Sequence, residues 1–340
     1  MLGRIDTRSL EGLSRPAQMR ALRRIAVNEQ VDLVHVTLFE AAVFGRPAFA
    51  GTGIPVLTSL VTTPFDAGKL RHDPHLDVMR ISAVRLLEVT SGWLFSDHFH
   101  AITQAVKDAA IKKLFIPPDK ISVVHRGRDG ARLGQRSEER RRRVRAELQL
   151  DEQDFVFLVA ARGDVPKGVG FAISAFGRVA AELPRGVLVW AGRDGNASDS
   201  VERALASLPP NARVLRLGHR SDVPDLMAAA DAYVLPSLWE GLGCVVLEAM
   251  ALELPVVASD LPAVREVVGT GGAELAPAAD AEALAAAMLR LARAPERRAA
   301  LAARGRLEFE KSFTLEQSAQ RMLALFERVA AAGKPRRAKE

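Results

Sequence analysis

Short β-branched apolar runs alternate with longer amphipathic stretches along almost the whole 340-residue chain. This alternation is the pattern of parallel sheets joined by crossover helices, so the fold class is α/β. In the first half the expected strands are Asp32–Thr37, Pro55–Ser59, Trp93–Ser96 and Ile121–His125. In the second half they are Phe155–Ala161, Val187–Ala191, Arg213–Leu217, Ala232–Leu235 and Pro255–Ser259. Most are nearly continuous apolar runs, as strands buried on both faces should be. Leucines and a methionine at helical spacing predict packed helices over Ala279–Ala303, and a last amphipathic helix covers about Leu315 to Ala332. Between the halves lies a polar, arginine-rich segment, Asp129 to Asp154, which places a domain boundary near residue 150.

Charge and cysteine content narrow the partners and the compartment. The 47 Lys and Arg against 41 Asp and Glu give a net charge of +6, which favours phosphorylated ligands, anionic lipids or nucleic acid. Few of the 14 Phe, 3 Trp and 1 Tyr are interleaved with basic residues as a stacking platform requires, so no nucleic acid is expected. The densest basic run, Glu138 to Arg145, reads as a solvated helix, and it is the expected contact with an anionic membrane if the acceptor is lipid-linked. A single cysteine, Cys244, excludes an internal disulfide and a multi-cysteine zinc site, and fits a reducing compartment. The N-terminus lacks the apolar stretch of a secretory signal, and the longest uncharged window, Pro47 to Phe65, is broken by prolines and glycines. A cytoplasmic location is expected, and the tail from Lys334 to Glu340 is expected to be disordered.

Two strand-end segments carry the chemistry. In the first, a buried strand ends at Pro236 and a helix begins near Cys244, with Glu240, Gly241, Leu242 and Gly243 in the turn. Glycines before a helix N-terminus let backbone N–H groups approach a phosphate, and the helix dipole favours its charge. Glu240 in the turn and Glu248 on the helix could each accept hydrogen bonds from hydroxyl pairs on opposite sides of that phosphate. In the second segment, a strand is followed by a loop bearing Arg162 and Lys167, two cations suited to a diphosphate. Ligands bind at the carboxyl ends of strands in an open parallel sheet, so both segments could face one ligand.

These residues resemble the retaining glycosyltransferases of family 4, which have the GT-B fold of two facing Rossmann-like domains. The resemblance rests on Arg162 with Lys167 and Gly168, Trp190 to Gly192, Leu217-Gly218 with Asp222, Ala230-Asp231, Pro236-Ser237, the Glu240/Glu248 pair, and Pro255 to Ser259 with Glu266. It covers about residues 120 to 330. It implies an acceptor-side domain over residues 1–150, a donor-binding domain over 151–312, and a helix over 313–333 packing back toward the first domain. It further implies a nucleotide-sugar donor, with no other cofactor, and a sugar, lipid-linked or small-molecule acceptor. Arg162 and Lys167 would hold the diphosphate, Glu248 the ribose and Glu240 the donor sugar. The backbone of Gly241, Leu242, Gly243 and Cys244 would hold phosphate or sugar oxygens. Glu240, Arg162 and Lys167 are thus the expected catalytic residues of a hexosyl transfer with retention that needs no metal. Arg193 and His219 are candidate nucleobase neighbours, with solvated loop residues the simpler reading.

The first half departs from the pattern. Strand Asp32–Thr37 normally follows a βα unit with a glycine-rich loop, so an N-terminally shortened first domain is expected. The histidine many members place after the second strand is missing from Thr58 to Pro64. Both departures motivate the alternative of a catalytically degenerate nucleotide-binding remnant or partner subunit. A sugar-nucleotide epimerase of the same fold is the other alternative. His35, His98 and His100 read as hydrogen-bonded structural histidines. His72, Asp73, His75 and Asp77 read as a polar helix cap, and Gly127 to Asp129 as an architectural turn.

Overall fold

The computed structural model describes residue 7, residues 9–65 and residues 77–333. The tail 334–340, and His72, Asp73 and His75 of the expected cap, lie outside the described residues.

Two parallel sheets organise the chain. The first has four strands in sequential order, β1 Val34–Thr37, β2 Val56–Leu60, β3 His98–Ala101 and β4 Ile121–Val123. Helices α1 Arg15–Asn28, α2 Val78–Phe95 and α3 Gln104–Leu114 precede or connect them, and α4 Glu138–Glu147 leads into the second half. The second sheet contains β5 Phe155–Ala160, β6 Gly186–Ala191, β7 Arg213–Gly218, β8 Ala232–Leu235, β9 Val256–Ser259 and β10 Glu274–Ala276, in the order β10-β9-β8-β5-β6-β7. Its connecting helices include α5 Val169–Glu182, α6 Ser198–Ala206, α7 Val223–Ala229, α8 Cys244–Ala251 and α9 Pro262–Val268. Then come α10 Ala281–Arg293, α11 Pro295–Ser312 and α12 Leu315–Ala331. The last of these returns to the first sheet, where Leu325 and Val329 cluster with Leu57 and Val124. The central strands β5, β6 and β8 are buried almost throughout, which is why they read as unbroken apolar runs.

Two expectations are corrected. Trp93–Ser96 is not a strand: Trp93, Leu94 and Phe95 form the last turn of α2, and the third strand is His98–Ala101. A short apolar run does not by itself distinguish a strand from the end of a helix, and two histidines hid the strand that follows. The arginine run is helical but only partly solvated. Arg140 and Arg143 pair with Asp225, while Arg141 and Arg145 pair with Asp231. Strand β10, three residues long at the sheet edge, was too short to show in the pattern.

The polar residues of the first sheet are hydrogen-bonded to one another, with His100, Thr58 and Ser59 buried, His98 half-buried and His35 exposed. His100 receives or gives a hydrogen bond at Ser59 Oγ (2.7 Å) and donates to the Val124 carbonyl through Nε2 (2.8 Å), while His35 Nε2 reaches the same Ser59 oxygen at 2.7 Å. His98 Nε2 lies 2.8 Å from Ser122 Oγ. Burial pushes the His100 imidazole down to about 4, against the opposing bond to Val124. Burial lowers His35 and His98 as well. In the unfolded chain these rings titrate near 6.5, so between that pH and about 4 the unfolded state binds more protons than the folded one. The stability from neutral His100 is complete above 6.5 and drains as pH falls, at up to about 1.4 kcal/mol per pH unit. Urea unfolding at neutral and mildly acidic pH should show this loss, and His100→Gln should flatten it. An equal slope in both proteins would remove His100 as its source.

Candidate functional site

Strands β5 and β8 are neighbours in the second sheet, so the loops at their carboxyl ends meet. The amide of Leu238 donates to the Pro166 carbonyl at 2.9 Å. Gly168 sits with φ +62°, and a Cβ there would fall 2.0 Å from the Pro236 carbonyl oxygen, so only glycine permits this approach. Lys167 Nζ thereby donates to Glu240 Oε1 at 2.6 Å, and Ser237 Oγ donates to the same oxygen at 2.9 Å. The Glu240 side chain is 9% exposed and that of Lys167 is 32% exposed.

The structure does not bring the other expected side chains into contact with this pair. Arg162 is exposed and pairs with Asp164 at 2.9 Å. Helix α8 starts at Cys244 behind Gly243, which has φ +80°. Glu248, one turn into α8, accepts from Arg128 Nε at 2.7 Å and lines a cavity of about 470 Å³ with Asp222, Asp225 and Arg132. Glu240 lines a separate cavity of about 290 Å³ with Thr63, Asp108, Lys112, Lys113 and Trp239. Arg193 and His219 are exposed loop residues at the ends of β6 and β7. Among the described residues no cluster of three or more His, Cys, Asp or Glu could hold a metal ion.

The first half reaches into this region. Thr103 Oγ1 donates to the Gly241 carbonyl at 2.8 Å, and a Cβ on Gly241 would lie 2.4 Å from the Val61 carbonyl oxygen. Glu266 accepts from the amides of Gln104 and Ala105 at the start of α3 and from His125 Nε2 at 2.6 Å. Burial works to raise the Glu266 carboxyl, and these bonds outweigh it and hold it below the ordinary value. Sequence reasoning missed Arg128 and Thr103 as neighbours of the site. Arg128 stands 120 residues from Glu248, and only its place in the turn leaving the first sheet hinted at such a contact.

Residues 6–132 match the model described as Glycosyltransferase Family 4, and residues 140–308 match that of Glycosyl transferases group 1. The chain is 25% identical over 249 residues to the UDP-Gal:alpha-D-GlcNAc-diphosphoundecaprenol alpha-1,3-galactosyltransferase of Escherichia coli, a match covering 71% of this chain and 61% of that protein. It is 39% identical over 119 residues to the lipopolysaccharide core biosynthesis mannosyltransferase LpsB of Rhizobium meliloti, 34% of each chain. The chain thus spans less than two thirds of the length of these curated relatives. The crystal structure of Anabaena HepE with UDP and glucose superposes with a TM-score of 0.77 at 21% identity, covering 94% of this chain and 84% of that one. Sucrose-phosphate synthase from Thermosynechococcus elongatus gives 0.77 at 21% identity, with 93% and 78% covered. The two likenesses establish the GT-B fold, and the family models, meeting the chain in both halves, establish that it belongs to glycosyltransferase family 4.

Proposed function

We propose that the chain transfers a hexose from a nucleotide-sugar donor to a sugar, lipid-linked or small-molecule acceptor with retention of configuration. The observation that carries this reading is the 2.6 Å Lys167–Glu240 pair where two strand-end loops meet before the N-terminus of α8. In this reading Lys167 exchanges Glu240 for the donor diphosphate, joined by Arg162, and the freed Glu240 carboxylate accepts from hydroxyls of the donor sugar. The backbone of Gly241 to Cys244 meets phosphate or sugar oxygens at the positive end of α8. Glu248, held by Arg128 through one oxygen, keeps acceptor capacity for the ribose hydroxyls. Retention needs no protein nucleophile when the acceptor attacks from the face the diphosphate leaves, with a diphosphate oxygen taking the acceptor proton. Lys167 and Arg162 then stabilise charge developing on the leaving group. The reaction is placed in the cytoplasm, at a membrane surface where the acceptor is lipid-linked.

The relatives' names give the acceptor search its starting point, since the Escherichia coli protein is named for a diphosphoundecaprenol-linked sugar. Calorimetric titration with UDP, GDP and ADP and their common sugar derivatives should show binding of one base over the others. No binding across that panel would defeat the reading. Product anomeric configuration, read by NMR with the base so identified, tests retention separately.

A further inference from the structure

Helix α2 has an inward side, where Glu88 and Ser91 bind the buried Arg46, and an apolar outward side. Ser91 and Gly92 are buried on the inward side. On the other, Met79 is 83% exposed, Leu86 64%, Leu87 51%, Trp93 54% and Leu94 72%. At 100° per residue these five, with the exposed Ala83 and Thr90, share an arc of about 120° that runs about 22 Å along the axis. No charged residue falls within it, and the Thr90 hydroxyl is spent on the Leu86 carbonyl at 2.8 Å. A face of this size on an 18-residue helix is far more than scattered surface leucines.

The border of this face is basic. Arg85 Nε donates to the Lys113 carbonyl at 2.8 Å, and its guanidinium lies over the ring of Phe115, 5.3 Å from the centroid. Lys112 and Lys113 are exposed beside Phe115, which is itself 59% exposed. An apolar stripe carrying Trp and Leu, bordered by lysines and arginine, has the chemistry of a helix that lies in the interface of an anionic bilayer. The arginine helix α4 is less suited to that task, because Arg140, Arg141 and Arg145 are committed to Asp225, Asp231 and backbone carbonyls.

We propose that the outward face of α2, with Arg85, Lys112, Lys113 and Phe115, docks the protein on an anionic lipid surface. Lys112 and Lys113 also line the cavity that contains Glu240, so a docked molecule would have that cavity beside the headgroup layer. Only this link between docking and acceptor rests on the transfer reading. Docking itself is measured without donor or acceptor, so its failure leaves that reading untouched.

The test is co-sedimentation of the full chain with phosphatidylcholine vesicles, with and without phosphatidylglycerol, alongside light scattering. The wild type should bind the phosphatidylglycerol vesicles more tightly. Leu86→Asp with Leu94→Asp should weaken binding about a hundredfold or more, since each buried leucine contributes about tenfold or more, and both sites are exposed enough to spare the fold. Lys112→Ala with Lys113→Ala should lose about fivefold per lysine on the anionic vesicles and little on the neutral ones. Thermal melting checks that each variant is folded. Failure of the wild type to bind either vesicle would overturn the proposal, as would full binding by the leucine variant. A concentration-dependent dimer abolished by Leu86→Asp would instead give this face to a second copy of the chain.

Discussion

Lys167→Ala should weaken nucleoside diphosphate binding roughly 10- to 150-fold, the loss of about 1.5–3 kcal/mol typical of one charged hydrogen bond. The side chain is two-thirds buried and aimed at Glu240, so its ammonium is already desolvated and positioned before any ligand arrives. Arg162→Ala should cost less, because that side chain is 70% exposed and its pairing is screened by water. Turnover should suffer more than binding if the leaving diphosphate gains charge in the transition state, with a fall of about 10²–10³ for a preorganised donor.

Glu240 provides the internal control. Removing Lys167 leaves its carboxylate with Ser237 Oγ, at 2.9 Å, as its remaining side-chain donor among the described residues, so part of any change could arise from a displaced Glu240. Glu240→Gln keeps the shape and removes the charge. If Lys167 binds the diphosphate, this variant should hold UDP, GDP or ADP at least as well as the parent, since Lys167 no longer has to leave a carboxylate. It should lose discrimination for the sugar. Calorimetry on the two variants and the parent decides: equal nucleotide affinity in Lys167→Ala and the parent would remove Lys167 from the site.

The two strand-to-helix connections that meet at Lys167 and Glu240 were legible because their determinants are local. The Gly241-Leu242-Gly243 turn, the glutamates eight residues apart and the Arg162/Lys167 loop are each contained within one strand-to-helix connection. Adjacency of the two connections follows from the topology of an open parallel sheet, in which strand ends share one edge. The long buried strands were legible for the same reason. What stayed hidden depends on contacts between distant segments. Arg128 reaches Glu248, Thr103 reaches Gly241, and Glu266 caps α3 through its first two amides, each across more than a hundred residues. The strand at His98 was obscured because its histidines are satisfied by serines on neighbouring strands, a pairing that no single run displays. The arginine run misled for a related reason: charge in sequence says solvent until a half-buried carboxylate is found for it.

That carboxylate is Asp231, and Asp231→Ala should destabilise the protein by about 3–5 kcal/mol, the range for orphaning one partner of a buried ion pair. Its two oxygens take Arg141 at 2.7 Å and Arg145 at 2.8 Å, and the second also accepts from the Val156 amide at 2.8 Å. The Arg145 side chain is 3% exposed, and burial holds its guanidinium below the ordinary arginine value despite Asp231 beside it. Its remaining donors go to the carbonyls of Ala229, Asp151, Glu152 and Asp154, and the Asp154 carboxylate, which favours the Arg145 charge from a distance, is itself paired with Arg213. Without Asp231, the Arg145 cation stays in the interior between α4, α7 and the start of β5 with no carboxylate bonded to it directly. Asp231→Asn keeps an acceptor for Val156 and should fall between parent and alanine variant. Adding Arg145→Met to Asp231→Ala should recover part of the loss by removing the stranded charge. Urea unfolding measures all three, and a loss below about 1 kcal/mol for Asp231→Ala would mean that water reaches Arg145. Because β8 begins beside Asp231 and ends before Ser237 and Glu240, nucleotide titration of the folded variant separates the two roles. An unchanged nucleotide affinity assigns Asp231 to holding the domain, whereas a lost one would mean that strand β8 and its terminal loop shift as a unit.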